Sequence, residues 1–328
     1  NTAKRLGAVS SKPITAGFFG LSQAGKSFLI SALAADQKGN LETIFDGQQL
    51  DFIKHINPPG GGKEATGLVT RFTRSAKAAA PGYPLELRLF HEIEVAKILV
   101  NAYFNDFDKE RVTYQLEQSR INEILKPLNA KLNAQPVKGV NEDDVVDLQD
   151  YAQESFGKSL SVLQANYWAR AVAMAPRLSI EDRATLFSIL WAEIPELTQI
   201  YIQFAKTLAK LGNPERVYAP LTAVVKDNGS GGLSQADSIM NVDMLERLGT
   251  NRDEQIAVRP FIEEGHVGEP VSISLAELTA LTAELVFPLI NPTKVPAVET
   301  VDLLDFPGYR GRLAITSLSE VKEGNPVS

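Results

Sequence analysis

An eight-residue run near the start of the chain constrains the fold more than any other feature. Residues 20–27 read G-L-S-Q-A-G-K-S and match G-x-x-x-x-G-K-[ST] at every fixed position. Gly20 and Gly25 lack a Cβ, so the backbone can curl and bring its N–H groups close to phosphate oxygens. The run therefore predicts a phosphate-binding loop between a strand and a helix.

The residues around this loop supply the expected frame. Residues 13–20 predict a short buried strand and residues 27–35 a helix, whose N-terminal dipole favours phosphate. In such a loop Lys26 reaches the β- and γ-phosphates, and the Ser27 hydroxyl binds Mg²⁺. A glycine-containing turn that happens to end in Lys-Ser is the alternative. The predicted nucleotide contacts in this stretch are Gly20, Ser22, Gln23, Ala24, Gly25, Lys26, Ser27 and Phe28.

Residues 301–308, V-D-L-L-D-F-P-G, form the second half of the predicted site. An apolar strand ends in Asp305, and Gly308 follows three residues later, which fits D-x-x-G. In a GTPase-type site the aspartate holds Mg²⁺ and the glycine N–H contacts the γ-phosphate, so we expect both roles here. Arg310 is a candidate arginine finger in cis. A solvent-exposed loop arginine is the alternative.

A predicted switch follows the first helix. The glycine-rich residues 58–63 break regular structure, and a strand is predicted from about residue 68. We expect this strand to pair with residues 84–90 across the turn at 81–83. Thr66 and Thr70 are candidates for the threonine that closes over the γ-phosphate and Mg²⁺. The run T-G-L-V-T-R resembles the first switch of dynamin-like GTPases, and this resemblance favours Thr70.

Residues 91–211 are poor in glycine and carry apolar residues at helical spacing. They predict a block of amphipathic helices in which Pro195 kinks or splits the last one. Conceivable metal ligands are His91, Glu92, Glu94 and the acidic residues 142–144, but solvated helix N-termini explain the acids better. Trp168 and Trp191 are interpreted as core residues rather than as anchors for a partner. Further on, Ser274 is predicted to cap a helix that continues to about residue 287.

Composition excludes several classes of function. The 328 residues carry a formal charge of −7, which argues against DNA as a partner. The chain has no cysteine, so it contains no disulfide, thiolate metal site or cysteine nucleophile. No apolar run reaches the ~18 residues of a membrane span. Because the chain starts at Asn1 and stops in a loop-like segment, we expect it to be part of a longer protein.

A guanine-selecting motif, Asn/Thr-Lys-x-Asp, is expected after D-x-x-G, but residues 308–328 do not contain one. Residues 250–253 are a near match in the wrong order and without the lysine. Residues 75–77, S-A-K, imitate the last GTPase motif but follow the first switch. Both are interpreted as coincidence, so GTP and ATP remain alternatives.

Three runs together resemble the bacterial SrfC-like virulence factor family. They are FGLSQAGKSFL from Phe19, HINPPGGGKEATGLVTRFT from His55 and LLDFPGYR from Leu303. The resemblance implies a P-loop NTPase similar to dynamin-like GTPases, located in the bacterial cytoplasm, with secretion as an effector left open. It also implies a longer protein that could hold the missing base-recognition motif. Dynamin-like proteins commonly place Gln before Ser in the loop, whereas Ser22 precedes Gln23 here.

These observations predict an α/β fold of the P-loop NTPase type, with a mixed sheet flanked by helices and a large helical insertion. Residues 10–90 and 214–328 form the discontinuous P-loop domain, and residues 91–213 form the insertion. The predicted function is a Mg²⁺-dependent nucleoside triphosphatase, as a GTPase-type switch, with Lys26, Thr70 and Arg310 in catalysis and Ser27, Thr70 and Asp305 at the metal. A nucleotide-gated scaffold or effector with negligible hydrolysis is the alternative, and an ATPase is a third. The insertion is the predicted surface for a protein partner.

Overall fold

Nine strands of one mixed sheet organise the first of two units in the computed structural model. The structure describes residues 7, 13–20, 25–58, 68–76, 80–106, 116–227, 229, 232–234 and 238–307. Contacts among Cα atoms place the described residues before Phe90 and after Asn213 in this unit, and Phe90–Asn213 in the second. Two further two-stranded sheets, β2-β3 and β7-β8, bring the strands of the described residues to thirteen. They are β1 Thr15–Phe18, β2 Glu42–Phe45, β3 Gln48–Asp51, β4 Val69–Thr73, β5 Leu85–Leu89, β6 Arg216–Ala219, β7 Lys226–Asp227, β8 Leu233–Ser234, β9 Gln255–Glu263, β10 His266–Val267, β11 Val271–Ser274, β12 Thr282–Pro288 and β13 Asp302–Asp305.

The strand order of the sheet is β1-β13-β4-β12-β5-β6-β9-β10, and β11 also pairs with β9. Two of the pairings, β1 with β13 and β4 with β12, are parallel, whereas β13 with β4 and β12 with β5 are antiparallel. The prediction of an α/β fold with a mixed sheet flanked by helices is therefore confirmed. The helices are α1 Lys26–Ala34, α2 Glu92–Asp106, α3 Gln118–Asn129, α4 Glu142–Phe156, α5 Tyr167–Met174, α6 Ile180–Ser188, α7 Pro195–Leu211 and α8 Leu275–Leu281.

The predicted pairing of β4 with β5 is wrong, because β12 lies between them. A largely buried ion cluster links β4 to its two neighbours in this order. Arg71 on β4 donates from Nε to Glu284 Oε2 on β12 at 2.6 Å and from Nη1 to Asp302 Oδ2 on β13 at 2.9 Å. One guanidinium thus fixes its strand between two partners that are more than 200 residues away in sequence.

The helix predicted from Ser274 to residue 287 is shorter than expected. The Ser274 hydroxyl caps it by accepting from the Glu277 N–H at 3.0 Å, as the sequence indicates. The helix nevertheless ends at Leu281, and the chain continues directly as β12. β12 pairs on both sides, with β4 and β5. This tertiary pairing overrides the helical spacing of Leu278, Leu281 and Leu285.

One face of the central strands carries both the core and the candidate site. Thr70 on β4 lies directly opposite Asp305 on β13, so their side chains share this face. Phe72 on the same face packs against Phe52 with ring centroids 4.8 Å apart, and Phe287 lies 5.3 Å from each of them. This aromatic cluster anchors the segment after β3 to the sheet.

The second unit consists of α2 to α7 and short connecting turns. Trp168 and Trp191 are 3% and 0% exposed, which confirms their interpretation as core residues. Pro195 is the first residue of α7, where a proline costs no helical hydrogen bond, so the predicted split is confirmed. At the start of α4, Asn141 and Asp144 form a capping box, and the acidic first turn is explained as expected.

Glu92 departs from its prediction. It begins α2 but is only 2% exposed, so it is not a solvated helix-end residue. Its carboxylate receives two hydrogen bonds from Arg183, at 2.8 and 3.0 Å, and one from the Tyr201 hydroxyl at 2.5 Å. The helical spacing of the sequence does not reveal Arg183, 91 residues away, as its partner.

Candidate functional site

The stem of the predicted phosphate loop is formed by the end of β1 and the start of α1. Gly25 precedes α1 with φ 83°, a left-handed conformation that favours glycine. Lys26 Nζ donates to the Gly20 carbonyl at 3.1 Å, so the two ends of the motif lie together. Among the described residues no side chain caps the helix, and its first turn contains no acidic residue. This stem leaves the helix N-terminus compatible with an anion.

The two halves of the predicted site meet through one short hydrogen bond. Ser27 Oγ on α1 donates to Asp305 Oδ2 on β13 at 2.6 Å, although the residues are 278 positions apart. Parallel pairing of β1 with β13 produces this contact, because it places Phe18 beside Asp305 at the carboxyl ends of both strands. Ligands of open α/β sheets commonly bind at that end of the strands.

Thr70 belongs to β4, a strand that is paired on both sides, rather than to a loop. Its side chain is 0% exposed and shares the face of Asp305. Neither Thr70 Oγ1 nor Asp305 Oδ1 has a hydrogen-bond partner among the described residues. Two buried oxygens without donors are costly unless a ligand satisfies them.

Asn57 is a polar residue of the site that the sequence analysis did not identify. It follows a five-residue π-helix, Phe52–Ile56, and is 7% exposed. Its Nδ2 lies 3.4 Å from Ser27 Oγ, a long hydrogen bond. In the sequence Asn57 is marked only by its position directly before the Pro-Pro-Gly run, and this position does not predict a contact with Ser27.

The electrostatics of the site depend mainly on Asp305, which is 1% exposed. Burial raises the pKa of its carboxyl, while the Ser27 hydrogen bond and the charge of Lys26 act in the opposite direction. A cation beside the carboxylate would offset the cost of burial. The carboxylate and hydroxyl oxygens of Asp305, Ser27 and Thr70 are hard ligands of the type that Mg²⁺ prefers, so these residues fit that ion.

The remaining predicted contacts divide into two groups. Phe28 lies in the first turn of α1 and its side chain is 79% exposed. The other predicted positions lie outside the described residues and comprise Ser22, Gln23, Ala24, Thr66, Gly308 and Arg310. The structure therefore brings together Gly20, Gly25, Lys26, Ser27, Asp305 and, by strand register, Thr70.

Comparison with known proteins identifies the family. The whole chain, residues 1–328, matches the family described as "putative bacterial virulence factor". The chain belongs to this family. No curated protein and no solved structure matches it. Within the residues that the structure describes, none of the helices has both the length and the apolar character needed to cross a bilayer.

Proposed function

We propose that this virulence-factor family member binds a nucleoside triphosphate with Mg²⁺ and hydrolyses its γ-phosphate. The 2.6 Å hydrogen bond between Ser27 and Asp305 carries the proposal. Each residue belongs to a short motif that is common by itself. Their direct contact, built by β1, α1 and β13, is the arrangement that a GTPase-type site requires.

The phosphate chain lies against the stem of the loop in this proposal. Lys26 exchanges its contact with the Gly20 carbonyl for the β- and γ-phosphate oxygens. The N–H groups at the start of α1, which no side chain of the described residues caps, donate to the same phosphates. The ammonium group and the helix dipole together stabilise the charge that develops on the transferred phosphoryl group.

Ser27, Asp305 and Thr70 are the residues that hold the metal in this proposal. When bound, Mg²⁺ supplies electrostatic stabilisation of the phosphate oxygens. Asp305 accepts a hydrogen bond from the Ser27 hydroxyl, which leaves lone pairs of the Ser27 oxygen for other partners. Thr70 stands in a strand and provides a fixed oxygen instead of closing over the phosphate as part of a loop. Positioning of this kind accounts for most of the catalysis in phosphoryl transfer.

Nucleotide binding is tested by titrating fluorescent, non-hydrolysable analogues of GTP and ATP against the 328-residue chain, with Mg²⁺ or with EDTA. We expect saturable binding with Mg²⁺ that weakens at least about 100-fold in Lys26→Ala, because the lysine neutralises phosphate charge. Lys38→Ala is the matched control, since Lys38 is an exposed lysine of the same unit and lies outside the site. Binding of neither analogue by the wild-type chain would refute the proposal.

Phosphate release measured on the same samples separates a hydrolase from a nucleotide-gated scaffold. A hydrolase releases phosphate from GTP or ATP with multiple turnover, and Lys26→Ala abolishes the release. A scaffold binds the analogues with the same dependence on Lys26 but releases almost no phosphate. The preferred base follows from the ratio of the two affinities, which the described residues do not determine. A protein partner on the helical unit remains a prediction.

A further inference from the structure

The segment between β3 and the glycine-rich run places one buried amide beside the Ser27 hydroxyl. Asp51 starts this segment, and its side chain accepts from the Lys54 N–H at 2.8 Å. The Asn57 N–H then bonds to the Phe52 carbonyl at 2.7 Å and closes the π-helical turn. Turns of this type are rare and occur frequently at functional sites.

The π-helical turn holds Asn57 through the core of the sheet. Phe52 and Ile56 are both 0% exposed, and the Phe52 ring packs edge-on against Phe72. Phe72 lies two residues beyond Thr70 on the same face of β4. The strand that presents the Thr70 oxygen therefore also anchors the turn that presents the Asn57 amide.

The hydrogen-bonding capacity of a serine hydroxyl gives this arrangement its meaning. Ser27 Oγ carries one proton and two lone pairs. The hydroxyl donates a hydrogen bond to Asp305 Oδ2, with 2.6 Å between the two oxygens. Asn57 Nδ2 donates to the oxygen at 3.4 Å and occupies one lone pair. One lone pair then remains, with its direction fixed by the other two contacts.

We propose that Asn57 is a positioning residue that orients the Ser27 hydroxyl for the metal ion of the bound nucleotide. The inference rests on the proposed function and assigns Asn57 no contact with the metal or the phosphates. Outer contacts of this kind fix the orientation of metal ligands, and their removal typically lowers metal affinity about 10–100-fold.

The test measures the Mg²⁺ concentration that half-saturates binding of the fluorescent GTP and ATP analogues to the 328-residue chain. We expect Asn57→Ala to raise this concentration about 10–100-fold and to leave the affinity in EDTA unchanged. His55→Ala is the matched control: it removes another contact of the same turn, the acceptor for the Asp51 N–H at 2.9 Å, without changing the amide at Ser27. His55→Ala should keep the wild-type Mg²⁺ requirement.

A double-mutant cycle shows whether Asn57 acts through Ser27. Ser27→Ala removes the oxygen that the amide orients, so Asn57→Ala should cause no further change in that background. An equal effect in both backgrounds would overturn the inference, as would an unchanged Mg²⁺ requirement in Asn57→Ala or an equal loss of affinity in EDTA. If the wild-type chain binds no nucleotide, the proposed function and this inference are both overturned. If the wild-type chain binds nucleotide and one of those three results is obtained, only the inference is overturned.

Discussion

Glu92 in the helical unit and Asp305 in the sheet unit are buried to almost the same degree, with 2% and 1% exposure. Their hydrogen bonding differs. Both oxygens of Glu92 are used: Oε1 accepts from Arg183 and Tyr201, and Oε2 accepts from Arg183. Asp305 accepts from Ser27 through Oδ2, while its Oδ1 has no donor among the described residues.

The difference separates a carboxylate whose two oxygens both accept hydrogen bonds from one with an oxygen that has no donor among the described residues. A buried charge is tolerated when its partners are complete, and Arg183 supplies a charge and a bidentate contact to Glu92. Asp305 receives one hydrogen bond from Ser27, and Lys26 supplies a nearby positive charge that favours its ionised form. If the proposed function holds, Mg²⁺ adds positive charge beside Asp305 and offsets the cost of burying its carboxylate.

Removing the cation that pairs with Glu92 should have the largest effect on stability. We expect Arg183→Met to lower the free energy of unfolding by about 3–5 kcal/mol, because Glu92 is left as a buried charge without its cation. Nucleotide affinity should stay within about twofold of the wild-type value, because Glu92 is not part of the proposed nucleotide site. Chemical denaturation gives the first quantity and analogue titration the second.

Two controls define that result. Lys206→Met removes an exposed ion pair with Glu181, which is 2.7 Å long, and should cost less than about 0.5 kcal/mol. The double variant Arg183→Met/Glu92→Met should recover much of the loss, since it removes both charges. A loss below about 1 kcal/mol in Arg183→Met would show that Glu92 does not need its partner.

Removing the charge of Asp305 should change the free energy of unfolding in the opposite direction. We expect Asp305→Asn to raise stability in EDTA at neutral pH by about 0.5–2 kcal/mol, since it removes a buried charge at a functional site. The same variant should lose the effect of Mg²⁺ on nucleotide binding. Thermal unfolding in EDTA, followed by titration with Mg²⁺, measures both changes. Lower stability in the variant would mean that the carboxylate is already satisfied.

The pH dependence sharpens this prediction. Burial raises the folded-state pKa of Asp305 above the ordinary aspartate value, so the folded chain binds the proton more tightly than the unfolded chain. The cost of the charged form is present above the raised pKa and is relieved as pH falls through it. The stability advantage of Asp305→Asn should therefore shrink on acidification. An advantage that stays constant with pH would exclude a titrating Asp305 as its source.

Local signals of the sequence predicted the mixed sheet, the stem of the loop and the identities of Lys26, Ser27 and Asp305. They did so because each motif lies at the junction of a strand with a loop or helix, and such junctions have characteristic residues. Non-local pairing was not accessible. Nothing near Arg71 indicates that its acidic partners lie on β12 and β13, and that omission produced the wrong pairing of β4 with β5.

Burial of polar residues was the second gap. Glu92 has the position and neighbours of an exposed helix-end acid, and its contacts with Arg183 from α6 and Tyr201 from α7 explain why it is buried. Asn57 ends a π-helical turn that is anchored by contacts of Phe52 with Phe72 on β4 and Phe287 on β12. Its approach to Ser27 follows from packing rather than from a motif. Local patterns therefore identified the residues that carry motifs and missed Asn57, the residue proposed to orient the Ser27 hydroxyl.

The smallest change in stability is expected when Thr70 is replaced. Thr43 is its matched control, because both residues carry a buried hydroxyl. Thr70 and Thr43 are both 0% exposed, and neither Oγ1 has a partner among the described residues. Replacing each by valine removes a buried hydroxyl at nearly constant volume, so both variants should stay within about 1 kcal/mol of the wild type. Only Thr70 shares a sheet face with Asp305. Thr70→Val should therefore slow phosphate release at least about tenfold while Thr43→Val leaves it unchanged, and equal rates in the two variants would remove Thr70 from the site.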